Sequence, residues 1–213
     1  MSPRSAPRSK PQPLRERMKE EARLAILEAA EHVIVEQGLS AARMEDIASR
    51  VGVSVGTLYN YFEDRKQLFQ ALRETRLQQL VTVLDAELKR SEGEPYRPRL
   101  VGLLRAVLEH AQQHFRLLTL LLEEGAQRVS TQQDELDHYQ RTSNALTQRV
   151  GSLNPEGIAQ GVLRPGDAEH YPTLLLGMVQ SMLLRQLVEH RPSPIEEQLA
   201  LLLRCFLDGA SPR

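Results

Sequence analysis

Disulfide bonds cannot organise this chain, because its 213 residues include a single cysteine, Cys205. A lone thiol suits a reducing compartment. Tryptophan is absent and aromatic residues make up only 4%, so burial falls to Leu, Ala, Ile and Val. No apolar run approaches the ~18 residues of a membrane span, and the opening M-S-P-R-S-A-P-R lacks the apolar stretch of a signal peptide. We therefore expect a cytoplasmic chain with no membrane partner. No G-x-S-x-G, Walker or G-x-G-x-x-G pattern occurs, so no catalytic residue, no cofactor and no enzyme activity are expected. Cys205, on an apolar helix, reads as a buried core thiol. Net charge is only −1, which argues against indiscriminate polyanion binding.

What is present is 41% apolar residues in long stretches of 3.6-residue period, the pattern of an all-α protein. Charge is unevenly spread. Residues 1–23 carry seven Lys/Arg against three acids, whereas residues 81–213 carry 14 basic and 17 acidic side chains. A basic front end on a mildly acidic body fits a small nucleic-acid-reading head on a body that does not touch nucleic acid. Four of the twelve prolines fall within residues 1–13, and residues 1–14 read as a disordered basic arm.

Residues 15–63 read as three helices. Ile26, Leu27, Ala30, Val33 and Ile34 recur at helical spacing over about 15–37, and Gly38 stands where a left-handed C-cap belongs. A second helix, about 44–51, buries Met44, Ile47, Ala48 and Val51. Gly52 permits a sharp turn, Ser54 is the natural N-cap, and a third helix over about 55–62 turns Leu58 and Phe62 inward. The second and third helices, joined by three residues, form a helix-turn-helix. Its last helix is rich in hydroxyl and aromatic groups, as a reader of the DNA major groove needs. With Leu58 and Phe62 facing in, Asn60 and part of the Tyr59/Tyr61 pair must point elsewhere, although tyrosines also fill cores.

From residue 64 to 213 the chain reads as a helical regulatory and dimerisation domain. A helix over about 64–91 carries Leu68, Leu72, Leu80, Leu84 and Leu88 on one side; at ~1.5 Å per residue it spans roughly 40 Å. Further helices are expected near 98–114, 115–124, 132–158, 168–190 and 194–208, with Asp167 a possible N-cap and Pro172 forcing a kink or a later start. The last two are unusually apolar. Leu174, Leu175, Met178, Met182 and Leu183, with Ile195, Leu199, Leu202, Leu203 and Phe206, offer more apolar face than one partner covers. Gly177 and Ser181 leave a groove for close approach. A four-helix homodimer interface built from helices near 168–190 and 194–208 is the expectation.

The strings R-x-x-I-L-x-A-A-x-x-V-I from Arg23, G-L-S-A-A-R-M-E-D-I-A over 38–48 and G-V-S-V-G-T-L-Y-N-Y-F-E-D-R-K-Q-L over 52–68 resemble the TetR/AcrR family of bacterial transcriptional regulators. The resemblance covers about residues 15–72; the later G-V-L-R-P at 161–165 and the apolar terminal pair look like that family's ligand-binding domain. It implies a homodimeric repressor on double-stranded DNA, seated on a palindromic operator and released by a small-molecule effector. It also implies that Val55, Gly56 and Thr57 meet bases and phosphate behind Ser54, that Tyr59 and Tyr61 touch phosphates, and that Asn60 enters the groove. Asparagine can read adenine through two hydrogen bonds. Arg65, with Lys66 beside it, stands at the family's usual lysine position as a phosphate clamp. The family's hydroxyl residues before the second helix are here Ala42 and Arg43; Arg43 can supply charge to a phosphate but no capping bond. Val55 replaces a residue often polar or basic, removing one base contact.

An effector pocket would draw on Leu103, Val107, His110, Leu118, Leu122, Tyr139 and Met178, or these could simply fill a solid core. With few aromatics, an aliphatic or mixed amphiphile suits such a pocket better than a flat dye. His110 and His114, four apart, could begin a metal site with Asp134, Asp137 and His138. Gln and Arg surround both clusters, so no metal is expected. The alternatives are a constitutive DNA-binding protein without an effector and, further off, a metal-dependent helical enzyme.

Overall fold

The computed structural model describes residues 14–120 and 132–210, with the side chains of 132–139 and 210 outside that description. All but the last residue of the expected basic arm therefore lies outside the described residues, as do Leu122 and the side chains of Tyr139, Asp134, Asp137 and His138. The described residues are helical throughout, with no strand, and the chain divides into two compact units, Met1–Leu72 and Arg73–Arg213. No described helix is long and apolar enough to cross a membrane.

The first unit holds α1 (Leu14–Gln37), α2 (Met44–Val51), α3 (Val55–Tyr59) and the start of α4 (Arg65–Arg90). On α1, Ile26, Leu27, Ala30, Val33 and Ile34 are buried, and the Gly38 N–H closes the helix on the Ile34 carbonyl at 2.8 Å. α2 buries Met44, Ile47 and Ala48, but Val51 is only half-buried. Gly52 then adopts φ +80°, its N–H returning to the Ala48 and Ser49 carbonyls. A side chain there would have space but would be strained by that φ. Leu68 and Leu72 from α4 are buried in this unit, whose α1 and α2 are tied by an Arg50–Glu36 ion pair of 2.6 Å. That contact holds the Glu36 carboxyl below its ordinary range.

The second unit continues α4 and adds α5 (Tyr96–Gln113), α6 (115–120), α7 (Gln132–Gly151), α8 (Asn154–Ala159), a 3-10 turn (Pro165–Asp167), α9 (Tyr171–Val188) and α10 (Ile195–Ala210). The single helix expected over 132–158 is broken after Gly151. Pro155 sits in the first turn of α8, where its missing N–H costs no intrahelical bond. For the same reason α9 starts late, at Tyr171 with Pro172 in its first turn and His170 as N-cap; Asp167 ends the 3-10 turn instead of capping α9. Leu84, Tyr96, Leu100, Leu103, Leu175, Leu202 and Phe206 centre the core. Gly157 lets α8 seat closely on this core, since a Cβ there would stand 2.7 Å from Leu163 Cδ1 and 3.0 Å from the Tyr96 ring.

α9 and α10 are joined by an amide clasp. Gln186 Nε2 donates to Gln198 Oε1 at 2.9 Å, the Ser193 N–H donates to Gln186 Oε1, and Gln198 Nε2 donates to the Ser193 carbonyl. Both glutamines are buried, and satisfying each other is what makes that burial tolerable. Cys205 is exposed, contrary to the sequence expectation. The buried face of α10 passes through Gln198, Leu199, Leu202 and Phe206, which leaves Cys205 on the other side with Leu201.

Candidate nucleic-acid interface and effector cavity

Local chemistry fixes α3. Ser54 is its N-cap, with Oγ accepting from the Thr57 N–H at 3.1 Å and lying 2.8 Å from Thr57 Oγ1. The helix is shorter than the expected 55–62. After Tyr59 the chain tightens into bonds from the Asn60 N–H to Thr57 and from the Tyr61 N–H to Leu58, and this delivers Phe62 into the core. Leu58 and Phe62 are 0% and 2% exposed. Gly56, Tyr59 and Asn60 stand at i, i+3 and i+4 and so share the side of α3 away from Leu58; all three are exposed. Tyr61, Val55 and Thr57 are half-buried, while Ser54, Arg43 and Lys66 are exposed. Ser54→Ala should cost the first unit about 1 kcal/mol, read as a lower denaturation midpoint with an unchanged slope.

Arg43 is the N-cap of α2 and makes no side-chain capping bond, as its chemistry dictates. Arg65 departs from the phosphate-clamp expectation. Its guanidinium turns inward, donating to the Leu39 carbonyl and lying over the Phe69 ring at 4.8 Å. The α4 N-terminus is instead capped by Asp64, whose Oδ1 accepts from the Gln67 N–H at 2.7 Å. Sequence reading also missed Arg23, which lies over the Phe62 ring at 5.6 Å; only the folded approach of α1 to Phe62 reveals that pairing.

In the second unit, a cavity of about 20 Å³ lies among α4, α5, α7 and α9. Of the seven candidate effector residues, Leu103 and Val107 line it. Met178 packs half-buried against the same core, and His110 and Leu118 are half-buried away from the lining. Leu84, Leu146 and Arg149 complete walls that the sequence did not indicate. A larger open depression of about 700 Å³ runs between α4 and α5. Its rim charges are engaged, Arg90 with Glu87 and Glu94, and Arg105 with Glu196. The His110 and His114 rings lie 4.7 Å apart, and no group of three potential metal ligands gathers among the described residues.

The apolar excess of α9 and α10 is narrower than the sequence implied. Leu175, Leu199, Leu202 and Phe206 are spent on the unit's own core, and Met178, Met182, Leu183, Ile195 and Leu203 pack against it. What stays exposed is Leu174, Leu184 and Val188 on α9 and Leu201 on α10. Leu174, Gly177, Ser181, Leu184 and Val188 follow a 3-4-3-4 spacing, which is the seam of a helix seeking a second helix.

Residues 26–72 match the family model for bacterial regulatory proteins of the tetR family. The chain is 25% identical over 186 residues to the uncharacterised HTH-type transcriptional regulator YhgD of Bacillus subtilis, covering 87% of this chain and 95% of that protein. It is 29% identical over 140 residues to the HTH-type transcriptional repressor KstR2 of Mycobacterium tuberculosis, covering 66% and 68%. Its fold is similar to the crystal structure of a TetR transcription regulator from Haloarcula marismortui, with a TM-score of 0.78 at 20% identity over 91% of this chain and 100% of that one.

Proposed function

The chain belongs to the TetR family of bacterial transcriptional regulators, and from that premise we propose that two copies occupy a palindromic operator and leave it when a small molecule enters the second unit. DNA binding is the activity of the amino-terminal module. The observation that carries the reading is the exposed Gly56–Tyr59–Asn60 side of α3, backed by buried Leu58 and Phe62. Two such helices, related by a twofold axis, match half-sites about 34–36 Å apart. Tyr59 is assigned to the phosphate backbone and Asn60 to a base edge. The exposed seam of α9 with Leu201 is assigned to the twofold contact.

Selection of bound duplexes from a random pool, repeated with cell extract, tests this reading. An inverted repeat should emerge and be lost with extract. Tyr59→Ala should weaken operator and unrelated DNA alike, by roughly tenfold, while Asn60→Ala should relax preference at one base pair per half-site, worth about 1–3 kcal/mol. The reverse pattern would reject the role assignments. A constitutive regulator is the second reading, favoured by one observation: about 20 Å³ of cavity has room for about one water. Operator binding indifferent to every extract would decide for it.

A further inference from the structure

One cation borders the cavity, and the carboxylate it holds sits on α4. Every lining side chain is apolar except Arg149. Its Nε and Nη2 donate to the two carboxylate oxygens of Asp85 at 2.7 and 2.8 Å, joining α7 to α4, while Nη1 donates to the Ala145 carbonyl at 2.9 Å. The Arg149 side chain is 18% exposed and that of Asp85 is 56% exposed. The arginine is thus fixed at the boundary between apolar wall and water. The carboxylate it grips is the mostly hydrated partner, and such pairs are held weakly.

We propose that this cavity takes an anionic aliphatic amphiphile whose carboxylate displaces Asp85 from Arg149 and unfastens α4 from α7. A ligand carboxylate offers the same two-oxygen match to the guanidinium fork. Its chain adds burial that Asp85 lacks, with each methylene worth about fourfold in affinity. The present cavity of about 20 Å³ is too small for such a chain, so entry requires α4 and α7 to part, and the ion pair that the ligand dissolves is one that joins them. The ligand therefore binds one state and not the other, the condition for shifting an equilibrium. Arg149 supplies the specificity: a neutral chain gains the wall but not the fork, and a cationic one is repelled. Only the consequence for DNA rests on the inducible reading above.

Calorimetric titration of the full chain without DNA, using decanoate, 1-decanol and decylammonium, tests the site. Decanoate should bind at least roughly tenfold more tightly than decanol, and decylammonium should not bind. Arg149→Gln should bring decanoate to the level of decanol, and Arg149→Lys should restore part of the difference. Asp85→Asn, which weakens the competitor, should tighten decanoate binding severalfold. Equal affinities for decanoate and decanol, no decanoate binding, or an Asp85→Asn variant with unchanged decanoate affinity would each overturn the proposal. If Arg149→Gln fails a helicity check by circular dichroism, the Asp85→Asn comparison decides alone. Operator retention with decanoate bound selectively would refute induction while upholding the site. Operator release by an extract, without any decanoate selectivity, would refute the site while upholding induction.

Discussion

Phe62→Ala should unfold the first unit at temperatures where the second remains helical, and abolish operator binding. Phe62 is 2% exposed and enters the core beside Leu58. Truncating a buried phenylalanine costs about 3–5 kcal/mol through lost transfer energy and the cavity left behind. A unit of this size has little more than that to lose, since whole domains are stable by about 5–15 kcal/mol. Arg23 would also lose the ring it covers at 5.6 Å. Thermal denaturation followed by circular dichroism should show a new early transition, and limited proteolysis should cut first within residues 14–72. A variant that melts in one step with undiminished DNA affinity would contradict this account of the core.

The second large effect is expected at the α9 seam. Leu184→Glu should convert a dimer into single chains at micromolar concentration. Leu184 is 49% exposed and lies between Ser181 and Val188 in the 3-4-3-4 series. In a twofold pairing the same patch meets itself, so one substitution introduces two like charges into an apolar contact, at a cost of several kcal/mol. Sedimentation velocity reads the change in mass. Operator affinity should fall at least about a hundredfold, because each head then binds without its neighbour. Leu187→Glu is not an equivalent control, since Leu187 is half-buried in its own protomer; Glu189→Gln, at an exposed position beside the seam, is the appropriate one. Unchanged sedimentation of Leu184→Glu would move the interface elsewhere.

The amino-terminal module was legible because its signals are local. Gly38, Gly52 and Ser54 each mark a backbone event within four residues of themselves, and Leu58 and Phe62 follow from helical spacing. Other features depended on tertiary approach. Arg65 reads as an exposed cation until the fold brings the Leu39 carbonyl beneath it. Cys205 reads as buried because α10 is apolar around much of its circumference, and only packing chooses the inward side. The break between α7 and α8 carried a local signal in Gly151 and Pro155, but long apolar periodicity on both sides obscured it. At the cavity, Leu103 and Val107 were accessible to pattern reading. Arg149 was not, because a charged residue on an amphipathic helix gives no sign of which neighbour it will grip.

The inward turn of Arg65 has a mechanical corollary. One guanidinium grips the Leu39 carbonyl, just ahead of α2, and lies on Phe69 one turn into α4. The opening turn of α4 is thereby pinned to the segment that leads into the reading helix, leaving no slack at that joint. Any tilt imparted to α4 reaches α3 as rotation of a whole block, and compliance in the rod must reside beyond Phe69.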